Sequence, residues 1–146
     1  MSNELQLACE KGDMNKVLAL TSQDDVDINA CGEDGLTPFL WACYGGHTTV
    51  VDFLVRAGCS TNARSTNGYT GLHCACFNGH ANLIPCLLEL GLDLNDNGND
   101  VGTPLEHALL NGYTNCVQAL IQAGCALSEE NLRDDRVIAA LQRAQQ

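Results

Sequence analysis

The stretch TGLHCACFNGH, running from Thr70 to His80, places two histidines and two cysteines close together. His73, Cys76 and His80 stand at i, i+3 and i+7, a spacing that puts all three on one side of a helix. Imidazole and thiolate are zinc ligands, so metal binding is one chemistry open to the set. Thiol oxidation, centred on Cys74, is another. A third reading makes the same side chains packing material.

The elements that would position these residues are legible from two further copies. TPFLWACYGGH begins at Thr37 and TPLEHALLNGY at Thr103, so with Thr70 the three threonines keep a step of 33. The same step links Ala42, Ala75 and Ala108, then Gly46, Gly79 and Gly112, then Gly58, Gly91 and Gly124, then Asn29, Asn62 and Asn95. A single supersecondary unit is therefore repeated in tandem. In each unit Thr can cap a helix, and Pro suits its first turn. Phe39, Ala42, Cys43 and Gly46 form one apolar face of that helix, matched by Leu72, Ala75, Cys76 and Gly79. A second helix carries TVVDFLV, NLIPCLL or NCVQALI and ends before Gly58, Gly91 or Gly124. The linkers NARSTNGY and NDNGNDVG predict projecting turns or hairpins.

Aligned this way, the opening stretch loses much of its apparent chemistry. Cys9, Cys43 and Cys76 each follow an alanine at a small packing position. Cysteine serves such places as a small buried hydrophobe. His80 aligns with His47. The chain has no CxxC pair, P-loop, nucleophile elbow or dinucleotide fingerprint. Glu106 and His107 are adjacent, and neighbours on a helix point apart. The expectation is a non-catalytic protein with no metal and no cofactor. Cys74 aligns instead with Trp41 and His107, off the packing face, where a partly exposed, oxidisable thiol is expected.

The unit resembles the ankyrin repeat, whose signature reads G-x-T-P-L-H-x-A-A-x-x-G-H and closes on G-A-x-x-N. The resemblance covers Glu33 to Ser128 and extends to the N-terminal LQLACEKGD and VDIN, which lack Thr-Pro. DDRVIAALQRAQQ falls in register with a first helix, since Ile138 stands 33 beyond Leu105. The resemblance implies an all-α solenoid of stacked helix-turn-helix units with projecting turn or β-hairpin fingers. An N-terminal capping unit spans 1–31, repeats span 32–64, 65–97 and 98–128, and a C-terminal capping helix lies in 129–146. Leu40 and Glu106 replace the signature His, so the implied Thr–His pairing survives only in Thr70 and His73. Gly71 replaces Pro. Val101 stands where the finger glycine belongs, and β-branched Val avoids positive φ, so that finger is expected to change shape. Pro85 falls near the start of its second helix, where a kink is expected.

Ankyrin arrays bind proteins, usually on the concave face made by fingers and first helices. At positions the family leaves variable, this chain carries Trp41, Tyr44, Phe77 and Leu110 on first helices, and Leu36 and Tyr69 just before Thr. Exposed aromatic stripes are uncommon unless something covers them, and aromatic anchors are what interfaces use. The expected site is a groove floored by Trp41, Tyr44, Phe77 and Tyr69, with Leu36, Leu110, Asn78 and Asn111 as further contact residues and a rim of Glu33, Asp34, Asp96 and Asp100. Trp41 belongs either to this floor or to the core. Asp96 and Asp100 belong either to the rim or to the turns alone. The expected partner is another protein, presenting an apolar helix or peptide with basic flanks. The resemblance also implies a modification: asparaginyl hydroxylation of Asn95, which has Leu87 and Asp93 at the favoured upstream places. Otherwise Asn95 braces its turn. Two rival functions stay open: the recognition domain of a larger enzyme, such as a ubiquitin ligase or kinase, and a cysteine-based redox or metal sensor.

A net charge of −11 repels phosphate backbones and favours basic partners. The N-terminus has no basic start followed by an apolar run, and Asp52, Pro85 and Glu89 interrupt the longest apolar stretches. A monomeric cytoplasmic or nuclear protein with reduced thiols, bound to neither membrane nor nucleic acid, is expected.

Overall fold

A computed structural model describes residues 4–145. Residues 1–3 of the expected N-terminal unit, and residue 146 of the C-terminal one, lie outside the described residues. The fold is an all-α solenoid. Helix pairs follow one another along the chain: α1 (Glu4–Lys11) with α2 (Met14–Thr21), and α3 (Pro38–Gly45) with α4 (Thr48–Arg56). Then come α5 (Gly71–Phe77) with α6 (Ile84–Glu89), and α7 (Pro104–Leu110) with α8 (Thr114–Gln122). α9 (Asp135–Ala144) closes the stack against α8.

The Thr positions do what their spacing predicts. Thr37 Oγ1 accepts from Leu40 N at 3.3 Å, Thr70 Oγ1 from His73 N at 3.4 Å, and Thr103 Oγ1 from Glu106 N at 3.2 Å. Each bond satisfies an amide that the first helical turn leaves open. Pro38 and Pro104 occupy the first turns of α3 and α7. α1, α3, α5 and α7 pack in a row, burying Cys9, Phe39, Ala42, Cys43, Leu72, Ala75, Cys76, Leu105 and Ala108 between them. The small residues on this face allow the close approach.

The junction between units is built on glycine. At Gly46 the backbone has φ 76°, and a Cβ there would meet the ring of His80. A Cβ on Gly79 would meet the ring of Tyr113 at 2.6 Å. The ring that opens the second helix of one unit thus rests on the glycine that ends the first helix of the unit before. Asn82 Nδ2 donates to Gly46 O at 3.5 Å, and Asn115 Nδ2 donates to Gly79 O at 3.2 Å, bridging the same junctions.

Pro85 does not kink a long helix. A 3-10 turn at Ala81–Leu83 precedes α6, and Pro85 sits in the first turn of that short helix, where a missing N–H breaks no ladder bond. The fingers are turns: no strand occurs among the described residues, which corrects the hairpin alternative. Successive fingers are nevertheless tied, with Thr66 N donating to Asp34 O at 2.8 Å and Thr66 Oγ1 to Glu33 O at 2.8 Å. In the third finger Val101 keeps the turn bond, donating to Gly98 O at 3.3 Å, as Gly68 does to Ser65 O at 2.8 Å. Gly35 and Gly68 have φ of 74° and 89° at that position. In the third finger the left-handed conformation moves to Asn99 at φ 58° and Asp100 at 72°, two residue types that tolerate it.

α9 is fastened to the last repeat by Arg136, whose Nη1 donates to Leu109 O at 2.8 Å while Nη2 pairs with Asp134 at 2.7 Å. No helix among the described residues is long and apolar enough to cross a membrane.

Candidate functional site

α3 and α5 carry Tyr44 and Phe77, and the fingers ahead of them carry Leu36 and Tyr69. These four side chains, with Asp34, Ser65 and Asn67 above and His73 and Cys74 beneath, line a cleft of about 280 Å³. Most of the predicted floor is therefore brought together by two adjacent units. Phe77 is 40% exposed, while Leu36, Tyr44 and Tyr69 are half-buried. Tyr44 and Phe77 stack at 6.2 Å with planes 26° apart.

Trp41 is half-buried, and its ring meets Tyr44 edge-on at 5.7 Å. It therefore flanks the cleft and does not fill the core, although its Nε1 is buried with no hydrogen-bond partner. Leu110 is 82% exposed and lies outside the cleft, against a separate hollow lined by Glu106, Glu130 and Arg136. Of the expected contact residues on first helices, those of the first two repeats approach the cleft, and that of the third does not. Ser128, Glu130 and Asn131, from the segment after α8, line that hollow with Leu110 but leave Leu110 open to solvent.

The floor corrects the expectation for Cys74. This thiol is 5% exposed, and burial pushes it up to about 12. A protonated, enclosed thiol is a poor nucleophile and a poor oxidation target. Cys74 lines the cleft together with the finger residues Leu36, Ser65, Asn67 and Tyr69. Cys43 is likewise held well above the ordinary thiol value by burial, and Cys9 and Cys59 rise to about 12 and about 11. Cys76 is raised by its hydrogen bond to Cys116 and by burial. All nine cysteines are free, and Cys31 is exposed.

His73 forms the capping box foreseen for Thr70. Its Nδ1 accepts from Thr70 N at 3.1 Å and lies 2.8 Å from Thr70 Oγ1. Nε2 lies 2.9 Å from Gly102 O, so it carries the proton. Burial lowers the basicity of this imidazole, in keeping with the neutral tautomer. The other members of the zinc-type set serve different partners: Cys76 meets Cys116, and the ring of His80 lies on Gly46. Among the described residues, no group of three or more His, Cys, Asp or Glu side chains is arranged to hold a metal ion.

Several expected rim and contact residues have structural duties. Asn78 Nδ2 donates to Tyr44 O at 2.9 Å, and Asn111 Nδ2 to His107 O at 3.0 Å, satisfying carbonyls at helix ends. Their amides are committed to the scaffold and not held ready for a partner. Asp96 accepts from Gly98 N at 2.8 Å and is gripped by both terminal nitrogens of Arg64. The Arg64 hydrogen bond holds the Asp96 carboxyl below its usual range. Asp96 is therefore a turn former and ion-pair partner, withdrawn from the rim. Glu33, Asp34 and Asp100 are exposed. Asn95 Oδ1 accepts from Ala126 N at 2.7 Å, repeating the bond from Ser60 N to Asn29 Oδ1 at 2.8 Å, so this side chain braces adjoining units.

Sequence reasoning placed His107 off the packing face and did not foresee its burial. It is buried, with neither ring nitrogen hydrogen-bonded, among the rings of Tyr69 at 5.4 Å, His73 at 5.8 Å and Phe77 at 6.2 Å. Its alignment with Trp41 and Cys74 was the available signal.

A family model of ankyrin repeats, in three copies, matches residues 5–98 and 50–131. Over 53 residues the chain is 36% identical to Palmitoyltransferase AKR1 of Debaryomyces hansenii. That match takes in 36% of this chain and 6% of the relative, so the chain spans only a small part of that protein's length. Ankyrin repeats generally mediate protein–protein interaction. With the repeats matched across most of its length, the chain belongs to the ankyrin-repeat family.

Proposed function

We propose that this protein is a non-catalytic binding module, an adaptor or scaffold, that receives a helix or extended peptide of another protein on its concave face. The observation that carries the reading is the convergence of Leu36, Tyr44, Tyr69 and Phe77 on one open cleft. Packing within the array accounts for the buried small residues, but it does not require partly exposed aromatic side chains on the concave side. Trp41 extends the apolar surface along α3, and Glu33 and Asp34 place negative charge beside it. A partner with apolar anchors and basic flanks matches both features.

Affinity capture from the native cell tests this reading. Wild type and the Tyr44→Asp/Phe77→Asp double variant are compared, with circular dichroism on both. Capture should be lost in the variant while the spectrum stays unchanged. Equal capture by the two would remove the cleft from the function.

A second reading is supported by the relative named a palmitoyltransferase, of which the chain matches only 6%. There the array would serve as a recognition segment for a larger enzyme. Mapping the full open reading frame separates the two readings.

A further inference from the structure

The cleft has a chemical preference beyond being apolar. Three rings, Tyr44, Tyr69 and Phe77, line it, and the face of an aromatic ring is negative. Asp34, exposed to solvent, is the acid among the lining residues. No Lys or Arg is among them, and the His73 ring on the floor has both nitrogens committed, to Thr70 and Gly102. Arg64, in the finger that supplies Ser65, Asn67 and Tyr69, is held by Asp96. At about 280 Å³ the cleft has the scale of one long side chain; whole small ligands usually occupy about 300–1,000 Å³.

We infer that the cleft between Tyr44, Tyr69 and Phe77 receives one cationic side chain of the bound partner, an arginine or a methylated lysine, with Asp34 as its counter-charge. This rests on the reading of the concave face as a partner surface. Diffuse cations suit such a site because they shed water more readily than a bare ammonium and lie flat or deep against ring faces. An apolar anchor would gain from the rings but would leave the negative charge of Asp34, whose Oδ1 accepts from Leu36 N, without a counter-charge.

The test uses the full chain labelled with ¹⁵N and three small probes: N-acetyl-arginine methylamide, N-acetyl-trimethyllysine methylamide and neutral N-acetyl-norleucine methylamide. At least one cation should shift the amide signals of Tyr69, Cys74 and Phe77 with an affinity about tenfold or more above norleucine's. The better of the two cations identifies which side chain the site takes. Asp34→Asn keeps an Oδ1 to accept from Leu36 N, now at 3.0 Å, and removes only the charge. It should weaken cation binding several-fold and leave norleucine unchanged. Norleucine binding as tightly as the cations would overturn the inference while leaving the partner surface intact. So would silence from all three probes, or full cation affinity in Asp34→Asn. Failure of the partner surface itself is read separately, by undiminished capture with the Tyr44/Phe77 double variant.

Discussion

The rings of Tyr44 and Phe77, one from each of two neighbouring units, stack with centroids 6.2 Å apart. This contact crosses the junction, so it should couple the two units as well as shape the cleft. A double-mutant cycle with Tyr44→Ala and Phe77→Ala, followed by urea unfolding, should give a coupling of about 0.5–1 kcal/mol. Strict additivity would mean that the rings touch without holding the units together.

Two glycines with similar backbones should respond very differently to a methyl group. Gly58 has φ 90° and nothing within 4 Å of where a Cβ would stand, so Gly58→Ala carries the left-handed penalty alone, about 1 kcal/mol. Gly46 has φ 76° and the His80 ring in the way. Gly46→Ala adds overpacking to the same penalty and should cost about 3 kcal/mol by denaturant titration. Equal losses would contradict the ring-on-glycine junction.

His73 makes stability depend on mild acid. Its folded basicity lies below the ordinary imidazole value of 6.5 because burial disfavours the cation. Between the lowered folded value and 6.5 the unfolded chain binds more protons, so the contribution is complete above about pH 6.5 and lost as pH falls through that window. His80, also lowered by burial, acts in the same direction. Unfolding at pH 7.5 and at 5.5 should show a loss in wild type that is smaller in His73→Gln. An identical loss in both proteins would move the effect elsewhere.

His107 offers a stabilising substitution. Burying two imidazole nitrogens without partners costs about 1–3 kcal/mol, partly offset by edge contacts with three rings. His107→Leu removes the polar atoms at similar volume. A net gain of about 1 kcal/mol, or about 3 °C in Tm, is expected by calorimetry. A lower Tm would show that the ring contacts outweigh the desolvation.

The thiols should fall into classes. Cys31 is exposed, Cys86 and Cys125 are half-buried, and the other six are buried. A chromogenic disulfide reagent should label Cys31 fast, Cys86 and Cys125 slowly, and all nine only in denaturant. Fast labelling of Cys74 would restore a redox role to the cleft floor.

Much of the architecture was legible because its causes are local and repeated. Three threonines at one step make three helix caps, and the glycines at one step end the helices. Val101 announced an altered finger because a β-branched residue cannot take the conformation of Gly35 and Gly68. Less was legible where a residue's fate depends on its neighbours in the next unit. Asn78 looked like a contact residue, but its amide is taken by a carbonyl of α3. Asp96 was legible as a turn former, but its ion pair with Arg64, 32 residues earlier, was not. Leu110 shares a column with Tyr44 and Phe77, but it stays largely exposed beside a separate hollow lined by polar and charged residues.

By itself, then, the sequence determined the repeat, its helix boundaries, its family resemblance and the concave column that carries the aromatic residues. These follow from short-range rules of capping, glycine conformation and periodicity, applied again in each unit. Only the tertiary structure decided which of those residues share a cleft, because the packing of neighbouring helices and the fold of each finger set how deep each position lies. It turned Cys74 from a candidate reactive thiol into a buried floor, and it placed Asp34 beside three rings drawn from two units.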